Sequence, residues 1–396
     1  MRKGDAFLHG FHVLSAAGEG LEALALAVRT GASLGLRPGP DFSPAGQAFP
    51  VGRVDANLAE PPGLPKEFKS RNNRMAWTAV QPLRPALEDA LSRYGPARVA
   101  VVAGTSTSGM LEAEEAFKRR EQGRGLGDGF HYGQQEIGAP AVFLAWALDL
   151  GGPALTVSTA CSSSAKALAV ARRLLRLDAC DAVLCGGVDT LCGFTVHGFA
   201  ALGALSPKRC NPFSRRRDGI NIGEGAAFCM VTREEGPVRL AGCGECSDAY
   251  NVSAPLPGGE GAEAAMRAAL ADAGLAPESV GYLNLHGTAT PHNDAMEALA
   301  VARVFPAGVP CSSTKPLTGH ALGAAGALEA ALCWDLLNGR AAAQGLPPNI
   351  FDGETDPVLP PLRLVRSLER LSGLRRVMSN SFGFGGSNVS LLFERP

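Results

Sequence analysis

Cys161 follows the apolar run Leu155-Thr156-Val157-Ser158 and precedes a segment with Leu168, Ala171, Leu174 and Leu175 at helical spacing. The thiol therefore stands where a strand turns into a helix start. Unpaired backbone N–H groups and the positive end of the helix dipole gather there, and both favour a thiolate. The expectation is a nucleophile with a depressed pKa, alkylated before the other nine cysteines. Ser162, Ser163 and Ser164 are placed to cap the first turn. The competing reading is a small buried thiol with no chemistry.

Three further groups could serve such a nucleophile. His286 ends the apolar run 282–285 and opens H-G-T-A-T-P-H-N-D-A-M-E. A histidine at a strand's C-terminal end faces the cleft of an α/β protein. Lys315 and His320 lie in S-T-K-P-L-T-G-H, where a lysine close to a buried imidazole keeps it neutral by like-charge repulsion. N-S-F-G-F-G-G-S-N at 380–388 predicts a tight turn with exposed N–H groups; with no lysine or helix after it, a phosphate loop is disfavoured. Cys243-Gly244-Glu245-Cys246 lacks the second half of a metal site. His9, His12, His131 and His197 have no spacing partner, His292 reads as a loop residue, and Glu112, Glu114 and Glu115 read as a solvated helical face.

The elements that must position these groups alternate. Strand-like runs fall at 98–103, 154–158, 181–185, 226–231, 281–285 and 389–393. Helical patterns fall at 74–94, 138–148, 162–177, 262–273, 294–304 and 319–337. Such alternation predicts an α/β fold with helix-covered sheets. Residues 157–171 and 311–331 each run from a short strand through Ser/Thr into a helix of small residues. They suggest a duplicated fold divided near 234–237, with halves 1–235 and 236–396. Gly319, Gly323 and Gly326 share one face of the expected helix. Each costs about 1 kcal/mol against Ala, so a close backbone approach should require them.

The 396 residues are 46% hydrophobic and 19% charged, enough for a large core. A net charge of −1 argues against a general nucleic-acid binder. Lys66, Lys69, Arg71 and Arg74 form a local basic cluster suited to an acidic partner. Ten irregularly spaced cysteines suit reduced thiols in the cytoplasm. No apolar run is long enough for a signal peptide or a membrane span.

Taken in order, T-A-C-S-S-S (159–164), N-P-F-S-R-R-R-D-G (211–219), G-E-G-A (223–226), H-G-T-A-T-P-H-N-D (286–294), T-K-P-L-T-G-H-A-L-G-A-A-G (314–326) and N-S-F-G-F-G-G-S-N (380–388) resemble the β-ketoacyl-acyl-carrier-protein synthases of the thiolase superfamily. The resemblance spans nearly the whole chain. It implies two βαβαβαββ halves in a five-layered αβαβα core, assembled as a homodimer or heterodimer. It implies a decarboxylative Claisen condensation of an acyl thioester with malonyl carried on acyl carrier protein, in fatty acid biosynthesis. Cys161 would accept the acyl chain. His286 and His320 would stabilise the enolate, and Lys315 would organise the site, paired with Glu297. Cys161 and Phe384 would supply the oxyanion N–H groups, with Phe384 also a gate. Thr288 and Thr290 would bind the carrier's phosphopantetheine arm. No cofactor of the chain's own is implied beyond that arm, although some relatives hold a monovalent cation near positions matching Asn284, Glu329, Ser379 and Asn380. The bulky opening F-L-H-G-F-H-V-L-S and the loop I-N-I-G-E-G depart from the usual pattern. They leave open a specialised ketosynthase of a polyketide or aryl-polyene pathway. Cys161 argues against a noncatalytic partner subunit.

Overall fold

The computed structural model describes residues 5–338, 345–371 and 373–396. Ten strands carry the architecture: β1 (Phe7–Ser15), β2 (Val99–Gly104), β3 (Ala154–Val157), β4 (Ala182–Asp189), β5 (Gly225–Thr232), β6 (Val238–Ser247), β7 (Tyr282–Asn284), β8 (Cys311–Ser312), β9 (Arg376–Gly383) and β10 (Ser387–Glu394). Across the sheet the first five run β3-β2-β4-β5-β1 and the last five β8-β7-β9-β10-β6. The pairing repeats as well. In the first half β2 lies parallel to β3 and β4, β4 antiparallel to β5, and β5 antiparallel to β1. In the second half β7 lies parallel to β8 and β9, β9 antiparallel to β10, and β10 antiparallel to β6. One strand order used twice is the duplication that the two similar segments suggested. The halves join where Phe7 and Leu8 of β1 pair with Arg239 and Val238 of β6.

The helices are α1 (Gly20–Thr30), α2 (Arg71–Val80), α3 (Arg84–Tyr94), α4 (Met110–Glu121), α5 (Ala139–Ala147), α6 (Ser163–Arg176), α7 (Gly193–Ala201), α8 (Glu260–Ala273), α9 (Pro291–Val304), α10 (Lys315–Thr318) and α11 (Ala325–Leu337). α6 and α11 pack together as the middle layer, and their buried side chains share one apolar cluster with the inner faces of both half-sheets. α2, α3 and α5 cover the outside of the first half-sheet. α8 and α9 cover the outside of the second. This is the expected five-layered α/β core. The first half departs from the expected βαβαβαββ order by inserting α7 between β4 and β5.

Several local expectations need correction. The helix expected over 74–94 breaks at the turn Gln81–Leu83, because Pro82 and Pro85 remove N–H groups from the ladder. The helix expected from 319 begins only at Ala325. Gly319 stands at φ +67 as the C-cap of α10, and 322–324 form a 3-10 turn. The three glycines therefore do not share a helical face, but the close approach they implied is real. A Cβ on Gly319 would lie 3.0 Å from Gly223 Cα, on Gly323 2.8 Å from Ser106 N, and on Gly326 2.8 Å from Ala165 N. β1, β6 and β9 were not legible as strands. β6 carries Gly242 and Gly244, on which a Cβ would meet the α8 carbonyls of Ala269 and Ala265. The packing that requires these glycines weakens the strand signal. The C-x-x-C lies on β6, where residues three apart face opposite sides. Of Glu112, Glu114 and Glu115 on α4, only Glu115 faces solvent. Glu112 accepts from Arg71 N at 2.6 Å, and Glu114 caps α7 through Gly193 N and Phe194 N.

Candidate active site

Strand β3 delivers the chain to Ala160, which takes φ 51, and Cys161 follows just ahead of α6. Leu322, at φ 48, occupies the matching place three residues before α11. Both are tight entries into a buried helix. The three serines do not cap α6 as expected. Ser162 Oγ donates to Thr159 O, Ser163 Oγ donates to Ala160 O, and Ser164 Oγ accepts from Ala327 N of α11 at 2.9 Å. They brace the elbow and tie the two central helices.

His286 follows β7. Its N–H and that of Gly287 each donate to one oxygen of Glu297, both at 2.8 Å. Gly287 adopts φ +40, and a Cβ there would come within 2.6 Å of Ser313 Cβ. Lys315, buried at the start of α10, donates to Glu329 Oε1 at 2.6 Å and to the His286 carbonyl at 2.5 Å; its ammonium lies 3.4 Å from His286 Nδ1. The expected Lys315–Glu297 pair is thus not formed. Glu297 holds the His286-Gly287 turn, and Glu329 takes the lysine. His320 is fixed by its backbone, donating to Asn221 O at 2.7 Å and accepting from Gly223 N at 2.9 Å. Neither of its ring nitrogens has a hydrogen-bond partner among the described residues.

These elements bring Cys161 Sγ and ring nitrogens of His286 and His320 within 4.8 Å of one another, all buried. The two imidazoles lie edge to face, with centroids 5.3 Å apart. They form the floor of a cavity of about 280 Å³ whose wall includes Phe199, Ile220, Thr288, Thr290 and Phe384. Hydrogen bonding from the backbone N–H groups of Phe384 and of Cys161 itself favours the thiolate. The Phe384 ring packs on Phe199, centroids 5.2 Å apart. Thr288 and Thr290 hydroxyls are 3.0 Å apart. His292 belongs to the first turn of α9 rather than a loop, and it reaches the cavity.

The electrostatics differ from expectation at the thiol. Burial pushes Cys161 up to about 11, while Lys315 and the two N–H groups pull it down and Asp189 adds to the rise. Desolvation outweighs the helix start, so the resting group is a thiol. Burial, then Lys315, then His320 hold His286 well below the ordinary imidazole value; burial and Lys315 do the same for His320. Both rings are therefore neutral near pH 7. Burial raises Glu329 against the opposing pull of Lys315.

The suggested cation neighbourhood is a buried polar pocket. The Asn284 amide and Glu329 Oε2 have no hydrogen-bond partners among the described residues, and Ser379 pairs with Asn284 across the sheet. Those oxygens fit a monovalent cation. The Asn380 side chain is engaged elsewhere, with Glu297 at 3.1 Å and Ser390 at 2.8 Å. In the basic cluster, Lys66 and Lys69 are exposed, but Arg71 is turned inward onto Glu224 at 2.7 Å.

Some residues around the site were not singled out from the sequence. Asp248 receives Asn388 Nδ2 at 2.6 Å beside the 383–386 turn. Asp294 binds Phe213 N at 2.7 Å and Ala289 N at 3.1 Å, tying two of the motif loops together. Asp189 is fully buried at the end of β4. A charge closing the apolar run A-V-L-C-G-G-V-D was the one available hint.

Comparison with known proteins agrees with this geometry. Residues 65–236 match the β-ketoacyl synthase N-terminal domain model and residues 238–347 the C-terminal one. The 3-oxoacyl-[acyl-carrier-protein] synthase 2 of Coxiella burnetii is 32% identical over 100% of this chain and 99% of its own. A chain of the complex between a ketosynthase and its chain length factor from Xenorhabdus doucetiae is 41% identical, covering 99% of this chain and 98% of that one, with a TM-score of 0.93. A β-ketoacyl synthase from Burkholderia phymatum is 27% identical over 99% of this chain and 100% of its own, with a TM-score of 0.87. With both family models matched in order and the duplicated fold reproduced, this chain belongs to the β-ketoacyl synthase family.

Proposed function

We propose that this chain catalyses decarboxylative condensation of an acyl thioester with malonyl carried on acyl carrier protein. The observation that supports it is the convergence of one thiol and two neutral imidazoles within 4.8 Å below two backbone N–H donors. Cys161 Sγ attacks the acyl carbonyl while an imidazole takes its proton. The S–C bond forms, the bond to the carrier arm breaks, and the arm leaves with that proton. The N–H groups of Cys161 and Phe384 hold the oxyanion. Malonyl then loses CO₂, and N–H groups of His286 and His320 hold the enolate oxygen. The enolate carbon attacks the acyl-Cys161 carbonyl and the sulfur leaves. Lys315 and Glu329 keep His286 oriented and neutral. Thr288 and Thr290 line the path for the phosphopantetheine arm. This route uses the chain's own side chains and no resident cofactor. A monovalent cation at Asn284 and Glu329 would brace the strand end below His286 and takes no part in bond making.

The pathway reading is a fatty acid synthase component, supported by the similarity to the Coxiella 3-oxoacyl-[acyl-carrier-protein] synthase 2, and its proposed place is the cytoplasm. The 41% identity to a chain of a ketosynthase–chain length factor complex favours a second reading. In that reading the chain works as a heterodimer in a polyketide or aryl-polyene pathway. The intact Cys161, His286 and His320 support the catalytic member of such a pair over the noncatalytic one.

The test separates the half-reactions. Cys161→Gln removes the nucleophile and should abolish condensation while labelled CO₂ is still released from malonyl carrier. Adding His320→Ala should cut that release roughly a hundred- to a thousandfold. Undiminished release from the folded double variant would remove His320 from the mechanism.

A further inference from the structure

Asp189 receives an unusual number of donors for a carboxylate that has no ion-pair partner among the described residues. Oδ1 accepts from Thr105 Oγ1 at 2.6 Å, Ser106 N at 2.8 Å, Thr107 N at 2.9 Å and Thr107 Oγ1 at 2.8 Å. Oδ2 accepts from Ser106 Oγ at 2.6 Å, Ser106 N at 3.0 Å and Gly323 N at 2.6 Å. Asp189 is 0% exposed. The donors come from two places. Residues 105–107 leave β2 in the first half, whereas Gly323 belongs to the second half, between His320 and α11.

That placement matters because the His320 ring has no hydrogen bond to any described residue. Its direction is inherited from the 319–324 segment. One end of that segment is held by Asn221 O and Gly223 N. The other is held by Asp189 through Gly323. A Cβ at 323 would lie 2.7 Å from Asp189 Oδ2, so the contact admits no side chain there.

We propose that Asp189 is a positioning residue of the condensing site: its carboxylate clamps the 105–107 loop to Gly323 and so sets His320 against Cys161. The proposal rests on the reading of Cys161 as nucleophile and His320 as enolate donor. The same carboxylate acts on Cys161 through space and favours the neutral thiol. Lys315, His286 and His320 also lie close to that thiol, and Asp248 and His292 line the same cavity. Asp189 therefore has two separable effects, one on geometry and one on the thiol.

Two variants separate them. Asp189→Asn keeps the shape but removes the charge and turns an amide toward a crowd of donors. Gly323→Ala keeps the charge but pushes the clamp apart. In each, folding is followed by circular dichroism, Cys161 alkylation by iodoacetamide across pH with peptide mapping, and condensation by steady-state kinetics. Asp189→Asn should move the alkylation midpoint to lower pH, making the thiol easier to modify. It should also lower kcat on the order of a hundredfold with KM little changed, as expected for a misplaced catalytic group. Gly323→Ala should lower kcat alike and leave the midpoint in place. Asp189→Glu should restore the midpoint. A folded Asp189→Asn enzyme with unchanged midpoint and unchanged kcat overturns the proposal. If Asp189→Asn does not fold, full turnover in Gly323→Ala overturns it. Alkylation is read without any condensation, so a parent chain that fails to condense would overturn the functional reading and leave the thiol effect measurable.

Discussion

The Lys315 ammonium donates to Glu329 Oε1 at 2.6 Å, with the two side chains 2% and 4% exposed. The same nitrogen reaches the His286 carbonyl. A buried ion pair stabilises little against an apolar pair, but losing one partner leaves a bare charge in low dielectric. Here that charge also tunes the site, since Lys315 lowers both imidazoles and the thiol.

Lys315→Met should therefore cost about 3 kcal/mol in urea unfolding. Adding Glu329→Gln should recover most of the loss, because the orphaned carboxylate is gone. Combining Lys315→Met with Glu297→Gln should give no such recovery, since Glu297 serves the His286-Gly287 turn. Recovery with Glu297→Gln alone would reinstate the pairing the motifs had suggested.

Alkylation should not begin at Cys161. Cys243 and Cys246 are partly buried and the other eight thiols are buried, and burial also pushes Cys243 up to about 11. Iodoacetamide near pH 7 should label Cys246 on β6 first without loss of activity. Inactivation should follow Cys161 labelling and steepen as pH rises toward its pKa of about 11. Peptide mapping with activity assays decides this; rapid inactivation at pH 6 would restore the thiolate.

Glu297 is pushed up to about 7 by burial, from an ordinary value of 4.5. A raised carboxyl contributes stability that is present below the unfolded value and lost as pH rises through the folded one. The stability of the parent minus that of Glu297→Gln should thus fall between pH 4.5 and about 7 and level off above. Urea melts of both proteins across that range measure the slope, and a rising difference contradicts the assignment.

The basic cluster divides into surface and interior. Lys66→Glu with Lys69→Glu should raise KM for acyl carrier roughly threefold to tenfold at low salt and weaken its salt dependence. Arg71→Ala should act on stability instead, by about 3 kcal/mol, because it abandons Glu224, whose side chain is 2% exposed. Unchanged carrier kinetics in the lysine double variant would move the docking surface elsewhere.

Much of the site is written locally. A strand running into Cys161 and a small-residue helix, a histidine closing a strand, and a Gly-Phe-Gly-Gly turn each depend on a few neighbouring residues, so their order along the chain already announces the α/β class and the reacting groups. What folding alone decided is the set of relations between distant segments. Glu329 rather than Glu297 meets Lys315 because α11 and the α10 start face each other across the central layer, and no spacing rule distinguishes two buried glutamates. Cys161 is raised rather than lowered because desolvation sums over every segment that covers it, whereas the helix start is a local contribution. Asp189 finds Gly323 across the junction of the halves, and position 319 admits no side chain because Gly223 crowds it. Short-range patterns determine which groups exist. The dielectric around them, and the partner each one meets, follow from packing between segments far apart in the chain.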